Sequence, residues 1–179
     1  GTLIDPFEGR ADTLAGKIRL TNPAAFPEDP LRDIRVARFA SVLGFKVAPA
    51  IYPAARAVAL SGLSVERVNE EMFKVLLGSP RPSVGLEEMF RLGVLDQWFP
   101  ELQALALFIQ DSVCQPEKDD FGPHTGWAHA KLSVDQAAAL ARLAGLPAPK
   151  KLALMLAALY HDLGKVSTTR WEYKRGRMA

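Results

Sequence analysis

The stretch EDPLRDIRVARFASVLGF, Glu28 to Phe45, decides the fold class. Glu28 and Asp29 place negative charge where a first helical turn favours it, and Pro30 is tolerable only that early in a helix. Leu31, Ile34, Phe39, Val42 and Leu43 then recur at helical spacing as far as about Phe45. Within this helix Asp29, Arg32, Arg35 and Arg38 follow at intervals of three. Each such step turns the side-chain direction by roughly 60°, which puts Asp29 beside Arg32, keeps Arg35 near and sends Arg38 towards the other side.

Working outward, helix remains the dominant pattern. Pro53 falls in the first turn of an alanine-rich helix broken at Ser61-Gly62, and Ser64 caps a third helix that ends at Gly78. Val84–Leu95 forms a shorter helix beyond Pro80 and Pro82, and another begins at Phe99-Pro100 and ends near Val113. The polar run Gln115–Pro123 reads as a linker; helices over Thr125–Ala144 and Pro149–Leu163 and a basic tail follow it. Ahead of Glu28 the chain is rich in turns, with short strands expected at Thr2–Ile4 and Lys17–Leu20. The expectation is an all-α protein with a small irregular or β start.

Composition narrows the classes. The chain has 179 residues, of which 49% are hydrophobic and 23% charged, enough to bury a core. The formal charge of +2 does not announce a nucleic-acid binder, so any basic surface must be local. Cys114 is the only cysteine, which excludes an internal disulfide framework and thiolate zinc clusters and suits a reducing compartment. No apolar run is long enough to cross a bilayer and the N-terminus lacks signal-peptide character, so the expected compartment is the cytoplasm. Leu3-Ile4 running into Asp5-Pro6, and a last residue Ala179 with no helix stop before it, read as cuts through structure; the chain is expected to be a fragment.

An aspartate beside an arginine offers an acceptor next to a rigid fork of donors. Adenine and cytosine each present an exocyclic amine next to an unprotonated ring nitrogen, which such a pair matches. Guanine and uracil carry a carbonyl in place of the amine and would leave the carboxylate unpaired. Read from spacing alone, the same residues also fit a solvated helix face, with Glu28 pairing to Arg32 at i,i+4.

IDPFEGRAD (Ile4–Asp12) followed by EDPLRDIRVARFASVLGF closely resembles tRNA nucleotidyltransferases and bacterial poly(A) polymerases, whose pattern is D-P-x-x-G-x-x-D and then E-D-P-x-R-x-x-R-x-x-R-F. The resemblance continues through VERVNEEMFKVLLGSPRP (65–82) and GLEEMFRLGVLDQWFPEL (85–102). It implies that Asp29 and Arg32 read the incoming base and that Arg35 and Arg38 contact the nucleotide. Arg67 and Glu71 would steady the pocket, with Glu70 a lesser candidate. It also implies addition of AMP, and of CMP where the parent protein uses CTP, to the 3′ end of tRNA or another RNA. The Mg²⁺ of such a transfer sits on a D-x-D strand after a Gly-Gly turn in the family's head domain. No such motif precedes Asp29, so neither catalytic carboxylates nor Mg²⁺ ligands are expected in this sequence.

A second constellation lies in HAKLSVDQAAAL (129–140) and ALYHDLGKVSTTRW (158–171). Imidazole and carboxylate together suit Ni²⁺, Mn²⁺ and related ions, and a bound ion can supply hydroxide to attack a phosphate ester. These segments resemble the HD phosphohydrolase superfamily pattern H…HD…D. By that resemblance His129, His161 and Asp162 are ligands of Ni²⁺ or Mn²⁺, Lys165 contacts phosphate, and the final aspartate belongs to a later helix. His124 is a secondary candidate. The resemblances together divide the chain into the end of a head domain (1–27), a nucleotide- and RNA-binding neck (28–82), a helical body (83–118) and the start of an HD domain (119–179). Two alternatives stand beside nucleotide addition: a metal-dependent phosphohydrolase acting on 2′,3′-cyclic or 2′-phosphates, and a non-catalytic RNA-binding scaffold.

Overall fold

The computed structural model describes residues 4–108, 126–168, 171–172 and 177–178. Two compact units divide after Trp98. The all-α expectation holds, with only two-residue strand pairings beside the helices among the described residues.

The first unit contains α1 (Gly9–Leu14), β1 (Lys17–Ile18), α2 (Ala25–Glu28), α3 (Leu31–Leu43), β2 (Lys46–Val47), α4 (Ile51–Arg56), α5 (Val65–Gly78), α6 (Pro82–Leu92) and α7 (Val94–Trp98). The strand expected at Lys17–Leu20 is cut to two residues, and it pairs in parallel with β2, Lys17 opposite Lys46 and Ile18 opposite Val47. Ile4 is not in a strand, and the rest of Thr2–Ile4 lies outside the described residues.

α3 is the central element, packed against both α5 and α6. Ile34, Ala37 and Ala40 of α3 are buried with Val68, Val75 and Leu76 of α5 and Leu86 and Met89 of α6. The α3–α6 crossing is close because position 85 is glycine. A Cβ there would stand 2.6 Å from Val75 Cγ1 and 2.9 Å from Ser41 Cβ. Beside it the Ser41 hydroxyl donates to Ser79 Oγ at 2.6 Å, and the Ser79 hydroxyl donates to the Ser41 carbonyl at 3.0 Å, so both buried hydroxyls are satisfied.

Two helix boundaries differ from the sequence reading. Asp29 is extended (φ −146°, ψ 94°) between α2 and α3, so the helix starts after Pro30 rather than at Glu28. A residue ahead of proline is driven out of the helical region, and that steric rule outweighs the favourable charge of Glu28 and Asp29. The helix expected over Val84–Leu95 begins at Pro82 and stops at Leu92, where Gly93 adopts φ 83°, before α7 resumes. Arg56 closes that break: its Nε donates to Arg91 O at 2.8 Å and its Nη2 to Phe90 O at 3.0 Å. α4 ends at Arg56, ahead of Ser61-Gly62. Ser64 caps α5 as its sequence indicates, accepting from Arg67 N–H at 3.4 Å.

The second unit contains α8 (Pro100–Leu107), α9 (Gly126–Leu143), α10 (Ala148–Tyr160), α11 (Lys165–Thr168), β3 (Trp171–Glu172) and β4 (Arg177–Met178). α8 runs to Leu107; the remainder of the expected helix, the Gln115–Pro123 linker, Cys114 and His124 lie outside the described residues. α9 and α10 form a hairpin around Gly145, whose φ of 59° lets Leu146 N–H reach back to Ala141 O at 3.0 Å. Its core combines Trp127 with small residues, Ala130 and Ala138, and with Val134, Met155 and Leu159. α10 ends three residues earlier than its apolar run, at Tyr160, which leaves His161 as its C-cap and Asp162 in the turn beyond. In the tail, Trp171–Glu172 pairs antiparallel with Arg177–Met178.

Candidate nucleotide and metal sites

The break before α3 fixes Asp29. Its Oδ1 accepts from Leu31 N–H at 3.3 Å and from Arg67 Nη2 at 3.3 Å. Its Oδ2 has no partner among the described residues. One oxygen therefore anchors the carboxylate while the other stays available. Arg32, the first full turn of α3, does not pair with Asp29. Its Nη1 donates to Ala25 O at 2.9 Å and lies 3.4 Å from Glu28 Oε2, the i,i+4 pairing that the sequence also allows. Asp29 and Arg32 thus flank one helix start with each arm held by a different neighbour.

Arg32 and Arg35 line a cavity of about 510 Å³ whose other walls include Arg19, Asn22, Phe26, Phe39 and Ile51. Arg35 is exposed, has no ion-pair partner among the described residues, and lies with its guanidinium 5.8 Å from the Phe39 ring centre. Apolar walls with a few converging donors suit a heteroaromatic ligand bearing an anionic group. Arg19 is a lining residue that spacing could not single out. Its Nε is 2.6 Å from Asp12 Oδ2, and it donates to the Phe7 carbonyl, so β1 brings it to the cavity across the turn that follows α1.

Arg38 and Glu71 come together elsewhere. Arg38 stacks at 4.2 Å over Phe39 and places Nε 2.6 Å from Glu71 Oε2. Lys74 bridges Glu70 and Glu71 at 2.9 and 3.1 Å. Arg38, Glu70 and Lys74 border a separate groove of about 440 Å³ with Val42, Phe73 and Leu77. The six residues expected at the nucleotide are therefore divided: Asp29, Arg32, Arg35 and Arg67 gather around the start of α3, and Arg38 and Glu71 join α3 to α5.

Asp33 was not anticipated by any motif. It is 1% exposed, neither carboxylate oxygen has a hydrogen-bond partner among the described residues, and burial raises its pKa from 3.8 to about 7.

In the second unit, α9 presents His129 and the end of α10 presents His161 and Asp162. His129 Nε2 and His161 Nε2 are 3.2 Å apart, and Asp162 Oδ2 is 3.7 and 3.3 Å from them. The circle through these three atoms has a radius of about 2.0 Å, the length of an ordinary Zn–N or Zn–O bond. His161 Nδ1 is 2.9 Å from Ala158 O, so that nitrogen carries the proton and leaves Nε2 free to coordinate. The donor set fits one borderline divalent ion, and the three residues are the group that could hold a metal among the described residues. Adjacent residues on a continuous helix diverge by about 100°; the end of α10 at Tyr160 is what allows His161 and Asp162 to face one point. Lys165 Nζ rests on Asp162 Oδ2 at 2.7 Å.

The first unit thus gathers an aspartate and arginines at one helix start, and the second holds a His-His-Asp cluster. Residues 44–105 match the family described as the probable RNA and SrmB-binding site of polymerase A. The Multifunctional CCA protein of Hahella chejuensis is 38% identical over 98% of this chain and 39% of its own length. That of Alcanivorax borkumensis is 40% identical over 98% of this chain and 40% of its own. A CCA-adding enzyme solved with CTP shares the fold at a TM-score of 0.50, with 20% identity over 90% of this chain and 41% of that one. A tRNA nucleotidyltransferase solved with a primer tRNA and an incoming ATP analog also matches at 0.50, with 18% identity over 93% of this chain and 64% of that one. The chain belongs to the tRNA nucleotidyltransferase family. It spans about two-fifths of the length of these curated relatives. No helix among the described residues is long and apolar enough to cross a membrane.

Proposed function

We propose that this chain supplies the base-selecting part of a cytoplasmic tRNA nucleotidyltransferase that adds AMP and CMP to RNA 3′ ends. The carrying observation is Asp29: Leu31 N–H and Arg67 hold Oδ1, so Oδ2 is presented as a fixed acceptor beside Arg32. A fixed acceptor takes the amine of adenine or cytosine and meets the carbonyl of guanine or uracil with repulsion. Arg35, with its charge uncompensated, neutralises phosphate. Selection is achieved by preorganisation, because the carboxylate does not reorient when the base arrives. In this reading residues 1–27 end the head domain, 28–82 form the neck, 83–118 the body and 119–179 the start of the HD domain. Mg²⁺, carried by the head domain, would activate the attacking 3′ hydroxyl and hold the triphosphate.

The test is extension of a tRNA lacking its 3′ terminus by the full-length protein, one nucleoside triphosphate at a time. AMP and CMP are expected to be incorporated, GMP and UMP excluded. Equal use of all four triphosphates would remove the base-reading role.

The His129–His161–Asp162 geometry favours a second activity in the same polypeptide, hydrolysis of 2′,3′-cyclic or 2′-phosphates at RNA ends. A bound Ni²⁺ or Mn²⁺ would supply a nucleophilic hydroxide. The two imidazole Nε2 atoms and Asp162 Oδ2 hold the ion, Ala158 O fixes the His161 tautomer, and Lys165 is available to phosphate. Release of phosphate from such an end in the presence of Ni²⁺ or Mn²⁺, lost in His161→Ala, tests it; activity unaffected by that substitution would exclude the site.

A further inference from the structure

We infer that Lys165 is the resident counter-ion of the metal centre, occupying Asp162 when no ion is bound and thereby setting how tightly a metal is held. This rests on reading His129, His161 and Asp162 as a metal site. The ammonium approaches the oxygen that faces both imidazoles: Lys165 Nζ is 2.7 Å from Asp162 Oδ2, the atom that lies 3.3 Å from His161 Nε2 and 3.7 Å from His129 Nε2. Asp162 is buried, and a buried carboxylate without a cation is costly, so the contact stabilises the metal-free protein. A divalent ion and an ammonium on one carboxylate oxygen repel each other, so loading the metal displaces the lysine.

The local fold makes that displacement easy. Lys165 opens α11, its own N–H bonds to Asp162 O at 3.0 Å, and its side chain is about one-third exposed (35%). The backbone turn can stay in place while the side chain swings outward. Released there, the ammonium is free to meet an anionic substrate group. One side chain thus serves in turn as a stand-in for the metal and as a phosphate contact, and phosphate contact becomes available only in the loaded site.

The experiment is Mn²⁺ binding by titration calorimetry on the full-length protein, comparing wild type, Lys165→Met and His161→Ala. Lys165→Met should bind Mn²⁺ roughly tenfold more tightly than wild type, about the free energy of one charge-assisted hydrogen bond. His161→Ala should lose this binding. Wild-type and Lys165→Met affinities that agree, with His161→Ala still weakened, would overturn the role of Lys165 while leaving the metal site intact. Unchanged Mn²⁺ binding in His161→Ala would overturn the metal-site reading and this inference with it. Thermal melts in the absence of metal provide a second readout. Lys165→Met should be destabilised there, and Mn²⁺ should raise its melting temperature more than it raises that of wild type.

Discussion

Arg38 Nε lies 2.6 Å from Glu71 Oε2, joining two residues of separate helices, α3 and α5, through a side chain that is only 6% exposed at its acidic end. Arg38 is also stacked on Phe39, so the pair ties α3 to α5, one turn along α5 from the Arg67–Asp29 contact. Glu71→Ala should leave Arg38 without its carboxylate, with Lys74 keeping Glu70, and lower stability by about 3 kcal/mol, since breaking a buried pair strands a charge. Denaturant unfolding measures it; a change below about 1 kcal/mol, the worth of a surface pair, would show that the contact is not structural.

Asp33 gives a pH signature. Its folded pKa of about 7 is above the ordinary 3.8, so its protonated form favours folding. The associated stability is complete below pH 4, falls as pH rises through the interval between the two values, and is gone above 7. The full span corresponds to roughly 4 kcal/mol at neutral pH. Asp33→Asn should therefore be more stable than wild type at pH 8 and should flatten this part of the stability–pH curve. Equal stabilities of the two proteins at pH 8 would contradict the burial of an unpartnered carboxylate.

Gly85 sets the spacing of α3 and α6. Gly85→Ala adds a Cβ 2.9 Å from Ser41 Cβ of α3 and 2.6 Å from Val75 Cγ1 of α5, which the helices cannot accept without moving, and should cost about 1–3 kcal/mol despite the higher helix propensity of alanine. A thermal melt showing no loss would mean that the crossing can relax.

Arg35 is the exposed guanidinium of the α3 cavity with no ion-pair partner among the described residues. Arg35→Ala should leave the melting temperature within about a degree or two of wild type, as surface changes do, and weaken ATP binding roughly tenfold through the lost phosphate contact. Unchanged affinity by calorimetry would place the phosphates elsewhere.

Much of this was legible in local patterns. The apolar spacing from Leu31 to Leu43 marks α3, Ser64 marks the start of α5, and the paired His161-Asp162 after an apolar run marks two of the three side chains that cluster with His129. What sequence could not show are contacts between residues far apart in the chain, because these depend on how helices cross. Asp29 meets Arg67 rather than the adjacent-looking Arg32, and Arg38 meets Glu71 across α3 and α5. The order of rules also mattered: proline at 30 expels Asp29 from the helix and so frees one carboxylate oxygen. Asp33 was illegible for another reason. A charged residue in a run of arginines reads as surface, and only the packing of α3 buries it.

The most direct test is the ratio of kcat/KM for ATP against GTP, measured on the full-length protein for wild type and Asp29→Asn. Asparagine keeps the size of aspartate but offers an amide N–H that can donate to the guanine carbonyl, so the preference for ATP should fall by about a hundredfold. An unchanged ratio in a variant that melts at the wild-type temperature would show that Asp29 does not read the base.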